Sequence, residues 1–197
     1  MKKAMLVFTV ALLTALTVTA AVLQRQQQTF SEKLIRLHVV ANSDSETDQQ
    51  IKLQVRDAVL PVTENLKLTD VTALLPEIQL AAENCLRELG SEDAVRVTYG
   101  MERFPTRFYE SFALPAGVYR SIRVTIGAGE GHNWWCVAFP SICLRAAADE
   151  LEEAAVAAGF SAEEVRLITG DGQGYVLKFK LLELLEQLKA KVSDFSR

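Results

Sequence analysis

Histidine and cysteine are scarce in this chain of 197 residues, which holds two of the former and three of the latter. Because a zinc site needs several such ligands at close spacing, we predict no metal centre. The formal net charge is −4 and no run of five or more Lys or Arg residues occurs, which argues against nucleic acid as a partner. Nothing in the sequence points to a cofactor or a small-molecule substrate. The 49% of hydrophobic residues excludes a disordered chain.

The N-terminal segment carries the clearest pattern. Lys2 and Lys3 precede twenty residues without a charge, at positions 4–23. At about 1.5 Å per residue, a helix of this length just spans a bilayer. Cleavage after Ala20 or Ala21 would make the segment a signal peptide, and without cleavage it would be a membrane anchor. Both alternatives predict an exported domain with the N-terminus retained in the cytoplasm.

Alternation of apolar and polar residues predicts the strands of the domain. In residues 34–41 the apolar side chains share one face, whereas Arg36 and His38 share the other, which we expect to be solvated or lightly buried. Residues 95–102 and 118–126 repeat the pattern and should pair as a hairpin. The element order predicts an α+β fold with a mainly antiparallel sheet of about three to four strands and helices packed on it.

Helical periodicity and end signals predict the remaining elements. A helix over residues 51–62 follows a turn with capping candidates such as Ser45 and should expose Lys52. A second helix should begin near Pro76 and stop at Gly90. The later elements are a helix over 146–158, a short helix behind a Ser161–Glu164 capping box, and a final amphipathic helix.

The chain is therefore divided into three parts. Residues 1–25 form the signal peptide or membrane anchor, and residues 32–170 form the exported α+β domain. Residues 171–197 form a flexible break and the C-terminal amphipathic helix. Residues 24–31 are expected to be a polar spacer between the first two parts.

Two short motifs have a chemical and a structural interpretation. Alternating Asn and acidic residues at 42–48 suggest calcium, but the glycine and glutamate of an EF-hand are missing, so we favour a helix-entry turn. The glycines at 127, 129 and 131 suggest a phosphate loop, but the required lysine is missing. We favour a tight turn whose backbone approaches another segment closely.

The three cysteines allow one pair and one single thiol. Cys136 and Cys143 are close enough in sequence to form a disulfide, whereas Cys85 lies on the apolar face of a helix and is expected to be a buried free thiol. An alternative is a secreted thiol-dependent hydrolase, with Cys136 as nucleophile and His132 as base. The tryptophans next to Cys136 indicate burial, which makes a thiol inert, so we favour a structural role.

Aromatic residues concentrate in the long connection at residues 103–117. This segment carries two arginines, and arginine and aromatic side chains commonly anchor protein interfaces. A second interpretation is that the segment folds back and buries its rings against the sheet. The partner-binding candidates are Phe104, Arg107, Phe108, Tyr109 and Phe112, together with Trp134 and Trp135. We rank this segment above the glycine turn, because the two should lie at opposite ends of the hairpin.

Several motifs in the same order resemble the stage II sporulation protein R family. They are LIRLHVVANSDS at 34–45, VRDAV at 55–59, FPTR at 104–107, LPAGVY at 114–119, GEGHNWWCV at 129–137 and FPSIC at 139–143. The resemblance covers about residues 34–144 and leaves the C-terminal fifty residues unmatched. Phe104, Phe108 and Glu110 depart from the residues that the family tends to have there.

This resemblance implies a signalling protein of endospore formation that is not an enzyme. Such a protein is secreted from the forespore into the intermembrane space, or anchored on the outer face of the forespore membrane. There it activates, by contact, a membrane-embedded sporulation aspartic protease, which processes an early mother-cell pro-sigma factor. The export segment and the aromatic candidate interface are compatible with this role.

Overall fold

A computed structural model describes residues 2–64, 66–109, 112–141 and 148–169. The predicted flexible break, the C-terminal helix and Cys143 lie outside these residues. The helices are α1 (Lys2–Glu32), α2 (Glu46–Thr63), α3 (Val71–Glu88), α4 (Ala148–Ala157) and α5 (Ala162–Thr169). The strands are β1 (Ile35–Val40), β2 (Val95–Phe104), β3 (Arg107–Phe108), β4 (Ala113–Leu114), β5 (Gly117–Ile126) and β6 (Asn133–Phe139).

The main sheet has four strands in the order β2-β5-β1-β6. The antiparallel β2–β5 pair confirms the predicted hairpin, with Val95 opposite Ile126 and Phe104 opposite Gly117. Strand β1 pairs with β6 antiparallel and with β5 parallel. The α+β class is thus confirmed. The sheet is mixed because β1 lies between β5 and β6, which run in opposite directions.

Strand β1 is buried on both faces, so the prediction that Arg36 and His38 lie on a solvated or lightly buried face is wrong. Both side chains have 0% exposure. The opposite face of β1 packs on α2 and α3 through Leu37 and Val39. The face of Arg36 and His38 is buried because a second layer covers it, formed by the end of α1, the segment at 112–114, and helices α4 and α5.

The entry to α2 matches its capping pattern, but one face of the helix does not match the prediction. The backbone N–H of Asp48 donates to Ser45 Oγ at 3.1 Å, which confirms Ser45 as the N-cap. Lys52, expected on the exposed side, is buried, and its Nζ donates to the carbonyl of His132 at 3.1 Å. A lysine buried at its charged end needs such acceptors, and the neighbouring turn supplies one.

Helix α3 begins at Val71, so the predicted start near Pro76 is wrong, whereas the predicted stop at Gly90 is confirmed. Val71 and Ile78 are seven residues apart on one helical face and both are buried, so packing extends the helix upstream of the proline. Gly90 has a φ of +68°. The N–H of Ser91 donates to the carbonyl of Leu86 at 2.9 Å, which closes the helix end.

The capping box of α5 is confirmed and fastens this helix to α1. The backbone N–H of Ser161 donates to Glu164 Oε2 at 2.7 Å, and the N–H of Glu164 donates to Ser161 Oγ at 3.2 Å. Lys33 Nζ, just after α1, donates to the same Glu164 Oε2 at 2.7 Å. The second layer therefore closes around the end of α1.

The apolar half of α1 is exposed along its length. Its side-chain hydroxyls bond back to carbonyls of the same helix, as for Thr9 to Met5 at 2.8 Å and Thr19 to Ala15 at 2.8 Å. The helix is long and apolar enough to cross a membrane, by length and composition, and none of its most apolar window is buried in the protein. This half therefore has no partner among the described residues.

Residues 24–31, predicted to be a polar spacer, continue the helix, and its last residues pack on the domain while Arg25, Gln26, Gln28 and Thr29 stay exposed. The helix continues without a break to Glu32, and Phe30, 1% exposed, packs edge-on against Phe160 with ring centroids 5.5 Å apart. Arg120 donates to the carbonyl of Glu32. Burial of the Phe30 ring fastens the end of the helix to the domain.

The glycine turn packs its backbone directly on the turn before α2, as the tight-turn interpretation predicts. The N–H of Gly131 donates to the carbonyl of Ala41 at 3.0 Å, and that of Glu130 donates to the carbonyl of Asn42 at 3.1 Å. Asn42 Oδ1 accepts from the N–H of Ala128 at 2.8 Å. The side chains at 42–48 thus act as acceptors that join two turns.

Replacing Gly131 with alanine is expected to lower the free energy of unfolding by about 1–3 kcal/mol. A Cβ at this position would lie 2.2 Å from the carbonyl oxygen of Ser43, and backbone atoms cannot move aside as a flexible side chain can. Gly100→Ala is the matched control, because a Cβ there meets nothing within 4 Å. Urea unfolding of both variants measures the difference, and equal stabilities would contradict the close approach.

Candidate partner-binding site

A buried arginine lies at the centre of the covered face of the sheet. Arg36 Nε donates to the carbonyl of Cys136 at 3.1 Å, and Nη2 donates to the hydroxyl of Tyr109 at 3.0 Å. Its guanidinium carbon lies 4.4 Å from the ring centroid of Phe104 and 5.3 Å from that of Tyr119. Burial lowers the pKa of Arg36 from its ordinary value. The aromatic faces and the two acceptors compensate part of the lost hydration.

His38 lies next to Arg36 on the same face and forms a second polar contact. Its Nε2 is 2.5 Å from Glu102 Oε2, and Glu102 Oε1 accepts from Arg123 Nε at 2.9 Å. The imidazole stacks on Trp135, with centroids 4.9 Å apart and planes at 8°. Burial lowers the pKa of His38 to about 4, and the opposing effect of Glu102 does not cancel this shift. His38 is therefore neutral at pH 7 and donates its Nε2–H to the carboxylate.

The buried neutral His38 should make stability depend on pH. Its pKa is near 6.5 in the unfolded chain and about 4 in the folded protein, so its contribution is fully present above pH 6.5 and is lost as the pH falls towards 4. Between pH 7 and pH 5 the loss should be about 2 kcal/mol. We expect the stability of His38→Gln not to show this loss between pH 7 and pH 5. Unfolding free energies of both proteins across that range test it, and parallel pH curves would contradict it.

The aromatic segment forms the short β3–β4 hairpin, and most of its rings face inward. Phe104 is 1% exposed and lies edge-on to Trp135 at 5.0 Å between centroids. Tyr109 and Phe112 stack on each other with centroids 4.3 Å apart, and Phe112 is 8% exposed. Phe108 is the exception, because 67% of its surface is exposed. The expectation that the segment buries its rings is therefore confirmed for Phe104 and Phe112, whereas partner binding by the segment stays a prediction.

Arg107 and the two tryptophans are divided between the two faces of the sheet. The guanidinium of Arg107 lies over the ring of Trp135, 4.9 Å from its centroid. Trp134 packs with the core on the opposite face of the sheet, where Arg56 lies 5.3 Å from its ring. Adjacent residues of a strand point to opposite faces, so Trp134 and Trp135 cannot share one patch.

The structure brings six of the seven predicted residues to one face of the sheet, all except Trp134, and adds polar residues that the sequence analysis did not select. Phe104 and Tyr109 contact Arg36 directly, Phe112 stacks on Tyr109, and Trp135 contacts Phe104 and Arg107. Phe108 projects from the same hairpin. The missed residues are Arg36, His38, Glu102 and Arg123. Two basic residues inside an otherwise apolar strand were the available signal, because a central strand buries both faces.

The cysteines and His132 do not form a thiol-base pair. Cys136 is 2% exposed and disulfide-bonded, and Cys143, its predicted partner, lies outside the described residues, so that pairing stays a prediction. His132 is on the surface, where its ring and its backbone N–H both contact Asp44 Oδ1. A disulfide sulfur is not a thiolate nucleophile. Cys85 is free and partly buried, and burial raises its pKa.

The described residues contain no candidate metal site. No group of three or more His, Cys, Asp or Glu side chains there is placed to hold a metal ion. Glu102, an acidic side chain on the sheet, instead contacts His38 and Arg123. The cluster around Arg36 is thus an arrangement of cations and aromatic rings that positions a hairpin.

Comparisons with known proteins agree with the motif order in the sequence. No solved structure matches the chain. The Stage II sporulation protein R of Bacillus subtilis (strain 168) is 36% identical over an alignment of 140 residues, which covers 64% of this chain. The matched segment spans 60% of the length of that relative. Residues 31–149 match the family described as Stage II sporulation protein R (spore_II_R), which is more than half of the chain. The chain therefore belongs to the stage II sporulation protein R family.

Proposed function

We propose that this protein is an exported sporulation signal that activates, by contact, a membrane-embedded aspartic protease. That protease processes an early mother-cell pro-sigma factor. Family membership supports a role in sporulation, and the exposed apolar half of α1 supports export from the forespore or attachment to its membrane. The protein itself carries out no chemistry in this proposal.

The observation that carries the contact is Phe108. A large aromatic ring that is 67% exposed is unusual in a segment whose other rings are packed. The residues on both sides hold it in place, because Arg107 lies over Trp135 and Tyr109 accepts a hydrogen bond from Arg36. An exposed ring on a rigid support loses little conformational entropy on binding, which suits an interface anchor.

The proposal is tested by reconstitution of pro-sigma-factor processing. We expect processing in vesicles only when both the full-length protein and the candidate protease are present, and none with a protease variant that lacks a catalytic aspartate. A signal that acts by contact should saturate near one protein per protease. Processing by the protein alone, or in the presence of the inactive protease, would contradict the proposal.

A further inference from the structure

Two exposed apolar side chains of the sheet form a small patch beside the mostly polar second half of α1, which includes Glu32. Met101 on β2 is 64% exposed and Val118 on β5 is 36% exposed. Both line a groove with residues of α1 that begin at Ala21 and include Gln24 and Arg25. Single exposed apolar side chains are common, but these two lie beside a membrane-type helix, where a bilayer can cover them.

The junction between α1 and the sheet is tight, so the position of this patch relative to the helix is fixed. The side chain of Gln27 on α1 reaches the start of β5, because its Nε2 lies 1.8 Å from where a Cβ on Gly117 would be. Arg120 donates to the carbonyl of Glu32 at the end of the helix. Because α1 is one continuous helix, the level of its apolar half in a bilayer also sets the level of the patch.

We propose that Met101 and Val118, with Arg25, dock on the surface of the bilayer that α1 enters, so that this end of the sheet rests on the lipid headgroups. The charge-free stretch of α1 ends at residue 23, and the groove begins at Ala21. The interfacial layer on each side of the hydrocarbon core is about 5–8 Å thick, so the lower part of the groove lies within it.

The side chains of the patch suit that layer. Methionine and valine can enter the boundary between headgroups and acyl chains, while Arg25 is exposed and can reach lipid phosphates. Leu80 on α3 is exposed to a similar degree, 54%, but does not line this groove. It provides a matched site at which no lipid contact is expected. The docking does not depend on the receptor proposed above.

The test uses the full-length protein in vesicles of equal parts phosphatidylethanolamine and phosphatidylglycerol. A bimane probe is attached in a Cys85→Ala background at Met101→Cys, Val118→Cys, Leu80→Cys or Val18→Cys, in the absence of reductant. Quenching is measured with lipids that carry a nitroxide near the headgroup. We expect blue-shifted emission and several-fold stronger quenching at positions 101 and 118 than at position 80.

Position 18, within the apolar half of α1, reports insertion of the helix. The docking is overturned if position 18 is quenched but positions 101 and 118 are quenched no more strongly than position 80. That result would leave the proposed signalling function untouched. Absence of quenching at 18 would also overturn it, because the patch would then have no bilayer beside it. Two probe positions in the patch guard against one variant that fails to fold.

Discussion

Replacing Arg36 with alanine is expected to lower the free energy of unfolding by about 3–5 kcal/mol. The change removes the donors to the carbonyl of Cys136 and the hydroxyl of Tyr109, and both acceptors are left in the protein interior. It also leaves a cavity between the rings of Phe104 and Tyr119. Urea unfolding of the full-length protein in detergent, followed by tryptophan fluorescence, measures the loss.

The matched control for this prediction is Arg36→Met. Methionine fills most of the volume, so it removes the charge and the hydrogen bonds but leaves only a small cavity. Burial of the guanidinium is itself costly, so we expect the methionine variant to lose clearly less stability than the alanine variant. An alanine variant within about 1 kcal/mol of the wild type would contradict a central packing role for Arg36.

Replacing Phe108 with aspartate is expected to raise the concentration needed for half-maximal protease activation by about 30-fold or more, the effect of losing an interface anchor worth about 2 kcal/mol. The ring is 67% exposed, so the folded protein should tolerate the change with little loss of stability. The reconstituted processing assay gives the activation curve, and urea unfolding gives the stability of the same preparation.

Two variants make this result specific. Leu80→Asp introduces the same charge at another exposed apolar side chain, on α3, and should activate normally. Tyr109→Phe keeps the ring stacked on Phe112 but removes the hydroxyl that binds Arg36, so it should affect stability more than activation. Alanine at Arg107 or Tyr109 would disturb packing and contact together, which makes Phe108 the cleaner test. Full activation by Phe108→Asp would show that the β3–β4 hairpin is not the surface that contacts the protease.

Local signals in the sequence were sufficient for several elements of this protein. The apolar half of α1, the Ser45 cap, the Gly90 stop and the capping box at Ser161 all depend on residues a few positions apart. The β2–β5 hairpin partners were likewise predictable from their alternation. The family was recognisable from short motifs in a fixed order, which do not require knowledge of the fold.

Only the tertiary structure decided which side chains are covered. The sequence predicts a polar face for Arg36 and His38. The parallel pairing of β1 with β5 instead places their strand in the centre of the sheet, where both faces are covered. The segment at 103–117 offered four similar aromatic rings, and packing left Phe108 as the exposed one. Pairing and coverage depend on residues far apart in the chain, so alternation in one strand predicts two faces but not what lies over each of them.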